Sequence, residues 1–314
     1  MRRLLLIDAH AILHRAYHSI PPLSHSGTPV NAIYGFYSML LTAIADLKPT
    51  YLAVCLDSPG PTFRSTEFLG YRAKRKIPDQ DLIRQLPLLP ETLVTANIPH
   101  FAMGGFEADD LLATIARRSL RRKWLKSSKP VIDKVTIITG DKDIMQLVEP
   151  RIELYVPIRG LAETKVYGIE EVKEKLGVLP TQVVDLKALM GDMSDNYPGV
   201  AGIGPKTATD LLNKYETLDG VYAHLDDIGP SVRSKLEPCR EDAYLSQKLA
   251  LLIDNIPLTY RLSSLKWNQT RIPGLLALFN QFNFKSLASR LSKVYSLPLA
   301  PKKPTPDSRQ TSLF

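Results

Sequence analysis

At 314 residues, 44% hydrophobic and 23% charged, the chain can build one large or two modest cores and has the composition of an ordinary soluble globular protein. A formal charge of +8 and a pI near 9.3 favour a polyanionic partner, while two cysteines, Cys55 and Cys239, exclude a disulfide framework or thiolate metal site and fit a reducing cytosol. The basic start meets only four apolar residues before an aspartate, which excludes a signal peptide, and no segment reaches the roughly 18 apolar residues of a membrane span. A cytoplasmic protein with no membrane partner is expected.

Short apolar, β-branched runs recur in the first half: LLLI (4–7), YLAVC (51–55) and VTIIT (135–139), with helix-length segments between them. The alternation predicts an α/β core with a parallel sheet and crossover helices. Each run leads into an acid, Asp8, Asp57 and Asp141 in turn. Ligands of open α/β sheets bind outside the carboxyl ends of the strands, so three acids are aimed at one edge. From about residue 166 the pattern changes to short helices punctuated by Gly and Pro, which predicts a helical domain over 166–290 after a core over 1–165. The remainder, 291–314, rich in Pro, Ser and Lys, reads as a flexible tail.

Further acids join these three. The stretch GFEADDLLATIA supplies Glu107, Asp109 and Asp110, TGDKDIMQL adds Asp143, and LMGDMSDNYPG adds Asp192 and Asp195. A first-turn acid ordinarily just suits the helix dipole or cap. Nine carboxylates in five clusters are harder to assign to capping, because gathering them costs repulsion unless cations neutralise it. Oxygen-only ligands without convergent His or Cys select hard ions, so two Mg²⁺ or Mn²⁺ ions are expected, with hydrolysis of a phosphodiester as their chemistry. The four-residue spacing of His10, His14 and His18 puts them on one helix face, where surface or core packing is expected rather than ligation.

Two phosphate-binding elements accompany the acids. In GVAGIGPKTATDLL, Gly199, Gly202, Ile203 and Gly204 form a tight turn opening onto a helix with Pro205, Lys206 and Thr207 at its start. Free N–H groups and the lysine charge there suit a phosphate oxygen, in a hairpin that tracks a DNA backbone without reading bases. Its carbonyls also suit a K⁺ ion. The stretch FRSTEFLGYRAKRK interleaves Arg64, Arg72, Lys74, Arg75 and Lys76 with aromatic residues, a composition that fits single-stranded or frayed nucleic acid. A second basic run, ARRSLRRKWLKSSK (116–129), reads as a solvated helix face.

Taken in order, LLLIDAHAILHRAYH, AIYGF, DSPGPTFR, YRAKR, FEADDLLATIA, ITGDKDIMQLV and LMGDMSDNYPGVAGIGPKTA resemble the 5′ nuclease domain of bacterial DNA polymerase I and the wider flap endonuclease family, over about residues 3–290. The resemblance implies a PIN-like parallel-sheet nuclease core with a helix-hairpin-helix DNA-binding subdomain. It further implies two-metal-ion cleavage of DNA at 5′ flaps or 5′ ends in replication and repair, with RNA primers among the expected substrates. By position it assigns Asp8, Asp57, Glu107, Asp109 and Asp110 to a first ion and Asp141, Asp143, Asp192 and Asp195 to a second. Arg15, Arg64, Tyr71 and Arg75 match positions that orient the scissile phosphate or stack on the terminal base. Where the family has Lys after that tyrosine, this chain has Arg72, leaving Arg72 and Lys74 as alternatives for that role.

No polymerase segment follows residue 290, so a freestanding nuclease is expected. The terminal QTSLF, with Gln310, Leu313 and Phe314, resembles the peptide that docks bacterial replication proteins on the sliding clamp. A module that binds branched DNA without cutting it and a PIN-type ribonuclease are the competing readings. The full set of nine acids argues against the first and the glycine hairpin against the second.

Overall fold

The computed structural model describes residues 1–121, 132–161 and 163–295. Its strands are β1 (Arg3–Asp8), β2 (Ser24–His25), β3 (Thr28–Pro29), β4 (Tyr51–Cys55), β5 (His100–Phe101), β6 (Lys134–Ile138), β7 (Ile152–Arg159) and β8 (Glu163–Tyr167). Six of them form one sheet in the order β5-β4-β1-β6-β7-β8, while β2 and β3 pair as a separate ribbon. All neighbours in the large sheet are parallel except β8, which runs antiparallel to β7 at the edge.

The centre of the sheet carries the α/β logic. From β1 the chain moves outward to β4 and β5 on one side, then returns to place β6 on the other. The strand order therefore reverses at β1, and the crevice beyond its carboxyl end is where such a sheet holds a ligand. Asp8 is the last residue of β1 and caps the following helix, Ala9–Ser19, by accepting from the Ala11 amide at 3.1 Å.

Successive side chains of a strand face opposite ways, and β1 shows it cleanly. Leu5 and Ile7 pack with the helices Ala9–Ser19 and Asn31–Leu47 on one face, Leu4 and Leu6 with Ala108–Leu120 on the other. A third core, built from Leu186, Leu189, Ile203, Leu211, Leu218 and Leu236, belongs to the helical segments after residue 178. There the chain passes close to itself at Gly199, where a Cβ would meet the Gly191 nitrogen at 2.1 Å. Both glycines also hold positive φ.

The domain boundaries differ from those the sequence pattern suggests. The expected helical domain over 166–290 does not keep to itself. Leu252, Ile256 and Leu265 return to the second core, and the helix Ile272–Gln281 packs Leu275, Leu278 and Phe279 into the first. Nor does a tail begin at 291, since the helix Lys285–Tyr295 buries Leu287 and Leu291 beneath the sheet. At roughly 1.5–3 kcal/mol for each fully buried apolar side chain, this C-terminal pair of helices is part of the nuclease core's stability. Part of the basic run at 116–129 and the whole terminal QTSLF lie outside the described residues. No helix among the described residues is long and apolar enough to cross a membrane.

Candidate active site

Beyond the carboxyl ends of β1, β4 and β6 lies a cleft of about 770 Å³ lined by Asp8, Asp57, Asp109 and Asp141. Local hydrogen bonds aim each acid. Asp8 accepts from Thr139 Oγ1 at 2.7 Å, Asp57 from the Ala108 amide at 2.8 Å, and Asp141 from the Asp143 amide at 2.8 Å. None of these is a cation, and the electrostatics record the strain. Burial, with the charges of Asp57 and Asp141 adding to it, pushes the Asp8 carboxyl up to about 7. Burial and then Asp8 and Asp141 hold Asp109 well above the usual carboxylate range.

The same cleft carries basic side chains as well: His10, His14, Arg15, His18, Arg72, Arg75 and Lys76 line it together with the acids. The three histidines, expected to pack at the surface or in the core rather than to ligate a metal, line this cleft. His10 Nδ1 accepts from the Asp57 amide at 3.1 Å, and the His14 and His18 rings meet edge to face at 4.7 Å. Arg15 lines the cleft but spends its guanidinium on the carbonyls of Gly160 and Ile158, at 3.0 and 2.6 Å.

A second group stands beside the first. Asp143 and Asp192 do not meet a shared void; the Lys187 ammonium lies between them, donating to Asp143 Oδ1 and, at 2.5 Å, to Asp192 Oδ2. Burial and Asp141 push the Asp143 carboxyl up to about 7 against the pull of Lys187. Burial opposes ionisation of Asp192 as well, but Lys187 and the hydrogen bonds from Ser194 and the Asp195 amide outweigh it and bring that carboxyl down to about 2. Lys187 carries no signal in the sequence, being one lysine in a short helix, Val183–Met190.

The remaining three acids are drawn into arginine pairs. Arg64, 2% exposed, donates from Nη1 and Nη2 to both oxygens of Asp110 at 2.8 Å, from Nε to the Leu249 carbonyl at 2.8 Å and from Nη2 to the Leu251 carbonyl at 3.1 Å. Asp110 also accepts from the amides of Ile253 and Glu107. The expected assignments of Arg64 to the scissile phosphate and Asp110 to the first ion therefore do not match this geometry: both are sealed from solvent with their hydrogen-bonding capacity used. Asp195 accepts from the Tyr71 hydroxyl at 3.0 Å, Arg72 Nε at 3.1 Å and Arg75 Nη2 at 3.3 Å. Glu107 takes the Tyr71 hydroxyl at 3.2 Å and Arg72 at 3.1 Å.

Tyr71 is correspondingly buried, so its ring offers no free face for stacking on a base. Arg72, in the left-handed region at φ 56°, reaches the cleft, whereas Lys74 is exposed and off its lining. Of the two alternatives, Arg72 lines the cleft and Lys74 does not.

In the hairpin, Lys206 is exposed and Thr207 half-buried at the start of the helix Pro205–Tyr215, while Gly202 holds φ +80°. Ile203, expected among the DNA contacts, is instead 4% exposed and anchors the loop in the third core. The Gly202 carbonyl, one of those suggested for K⁺, already accepts the Lys235 ammonium at 3.2 Å.

Comparison with known proteins agrees with this architecture. Residues 3–177 match the model of the 5′-3′ exonuclease N-terminal resolvase-like domain, and residues 178–272 that of the 5′-3′ exonuclease C-terminal SAM fold. A 5′-3′ exonuclease of Bacillus subtilis is 35% identical over 261 residues, covering 82% of this chain and 85% of that protein. DNA polymerase I of Caldicellulosiruptor bescii is 38% identical over 295 residues, 92% of this chain but 33% of the polymerase, so the chain spans about a third of such relatives. In fold, a bacteriophage T5 5′-exonuclease with bound zinc superposes with a TM-score of 0.66 at 20% identity, over 94% of this chain and 99% of that one. The catalytic core of Rad2 with a DNA substrate gives 0.59 at 14% identity, over 93% and 92%. A resolvase-like, PIN-type α/β core followed by a helical SAM-fold domain places the chain in the 5′-3′ exonuclease family.

Proposed function

We propose that the chain is a divalent-metal-dependent, structure-specific 5′ nuclease that hydrolyses phosphodiesters at 5′ ends and 5′ flaps during DNA replication and repair. The observation that carries this reading is the cleft at the sheet's carboxyl edge, lined by four carboxylates together with arginine, lysine and histidine side chains. A hydrophilic anion can rest on the basic side chains while its reacting phosphate approaches the acids only if cations neutralise them.

The donor set fits a hard ion. Every candidate ligand is a carboxylate oxygen, and the high proton affinity of Asp8 and Asp109 marks a site short of positive charge. Among the described residues no three such groups are already gathered closely enough to hold an ion, so binding has to draw them together. Asp8, Asp57, Asp109 and Asp141 would hold one Mg²⁺ or Mn²⁺, and Asp143 and Asp192 a second. When bound, such ions supply an activated water and Lewis acidity at phosphorus. The protein's own part is to position: Thr139 fixes Asp8, the Ala108 amide fixes Asp57, and Arg72 and Arg75 hold Asp195 while lining the cleft. The exposed helix start at Lys206 would grip the duplex backbone away from the cut.

Purified protein incubated with a 5′-labelled flap duplex should release a flap-length product in Mg²⁺ and none in EDTA. Binding without any metal-dependent product would reject the nuclease reading in favour of a non-cutting DNA module. We also propose that QTSLF docks the sliding clamp; in a clamp pull-down, Leu313→Ala should lose to the intact chain, and equal recovery would dismiss the idea.

A further inference from the structure

Lys187 occupies a place the acids alone do not explain. Its side chain is 13% exposed and its ammonium joins Asp143, which follows β6 in the nuclease core, to Asp192, which follows the helix Val183–Met190. The loop after Asp192 closes on itself, with the amides of Asp192 and Tyr197 each donating to the other's carbonyl at 3.1 Å. That fold buries the Tyr197 ring at 4% exposure, with no hydrogen-bond partner for its hydroxyl among the described residues. The charged groups acting on that hydroxyl are Lys187, Asp143, Asp192 and Asp195.

We propose that Lys187 is a displaceable resident cation: it neutralises the Asp143–Asp192 pair in the ion-free protein, competes with a divalent ion for it, and is released toward solvent when the ion enters. The inference rests on the reading of Asp143 and Asp192 as ion ligands. Two carboxylates with an ammonium carry a net charge of −1, and with a divalent ion alone they are neutral. An ammonium held against the same two carboxylates would face the ion's double positive charge at contact distance, and that repulsion favours its departure. Its side chain has the length and freedom for this that a bidentate arginine pair lacks. The same ammonium ties the nuclease core to the helical segment, and an ion replacing it would keep that tie.

Two measurements test this without turnover. Calorimetric titration of DNA-free protein with Mn²⁺ should show two classes of site, of which the weaker tightens roughly tenfold or more in Lys187→Met, the scale on which one neighbouring charge shifts an ionic equilibrium. Lys187→Arg, whose forked guanidinium is harder to displace, should bind the weaker ion less tightly than wild type. In melting experiments, Lys187→Met should lower Tm in EDTA and recover in saturating Mn²⁺, whereas a merely structural lysine would cost the same in both. If the methionine variant does not fold, wild-type lysine footprinting by reductive methylation and mass spectrometry decides: Lys187 should be protected in EDTA and become reactive in Mn²⁺. Unchanged affinity in Lys187→Met, or unchanged Lys187 labelling while Mn²⁺ demonstrably binds, overturns the proposal. No Mn²⁺ binding to wild-type protein at all would overturn the ion reading itself.

Discussion

The carboxylates of this chain divide into two regions that treat the same chemistry in opposite ways. In the cleft, Asp8 is buried and Asp109 half-buried beside other acids and without a cation, and their carboxyls are driven up. One residue on from Asp109 in the same helix, Asp110 is more completely buried than Asp8 yet sits in the fork of Arg64. Position in the motif does not separate them; the presence of a built-in counter-charge does. A carboxylate already matched by guanidinium stabilises the fold, while one left unmatched keeps its capacity for an ion.

The contrast breaks most visibly at Arg64. Arg64→Ala would leave Asp110 buried and uncompensated, with the Leu249 carbonyl stripped of its partner, and should cost about 3–5 kcal/mol in chemical denaturation. Arg64→Met combined with Asp110→Leu removes both charges and should recover most of that loss. A single-variant loss below about 1 kcal/mol would mean that the pair is not the closed unit described here.

Asp8 gives the opposite sign. Its folded carboxyl, near 7, lies above the value of about 3.9 expected in the unfolded chain, so the folded state binds more protons between those limits. This group's contribution is present below about pH 4 and is lost as pH rises through 7. The shift of about three units corresponds to something on the order of 4 kcal/mol. In EDTA, Asp8→Asn should therefore be more stable than wild type at pH 8, with the gap closing toward pH 4. Parallel stability curves across that range would remove the claim that the cleft acids are unmatched.

What could be read from the sequence follows the same division. β1, β4 and β6 are legible because they are central, apolar on both faces and followed at once by acids. β5 has two residues and no periodicity to detect, and β8 is an edge strand that is mostly exposed, with only Tyr167 buried in it. The helices after 272 looked like part of a helical domain because their apolar faces are ordinary; only the third dimension shows which core receives Leu275 and Leu291. At the site, residue type was legible and partnership was not. Arg64 lies in a basic, aromatic stretch that reads as nucleic-acid binding, yet its partners are 46 residues away at Asp110 and 185 away at Leu249. Lys187 has the same history, since its contact with Asp143 spans 44 residues.

The hairpin sharpens the comparison on a smaller scale, because neighbouring residues there divide between support and exposure. Ile203 is buried with Leu211 and Leu212, so Ile203→Ala should cost about 2–5 kcal/mol and loosen DNA binding only through the loop's geometry. Lys206, three residues on and exposed at the helix start, should behave in reverse. Lys206→Ala should change stability by no more than about 0.5 kcal/mol while weakening duplex binding evenly across sequences. Its signature would be a salt dependence of log K reduced by about one phosphate contact. An unchanged salt slope would place the DNA backbone elsewhere on the helical domain and leave the glycine turn as a packing device around Gly191 and Gly199.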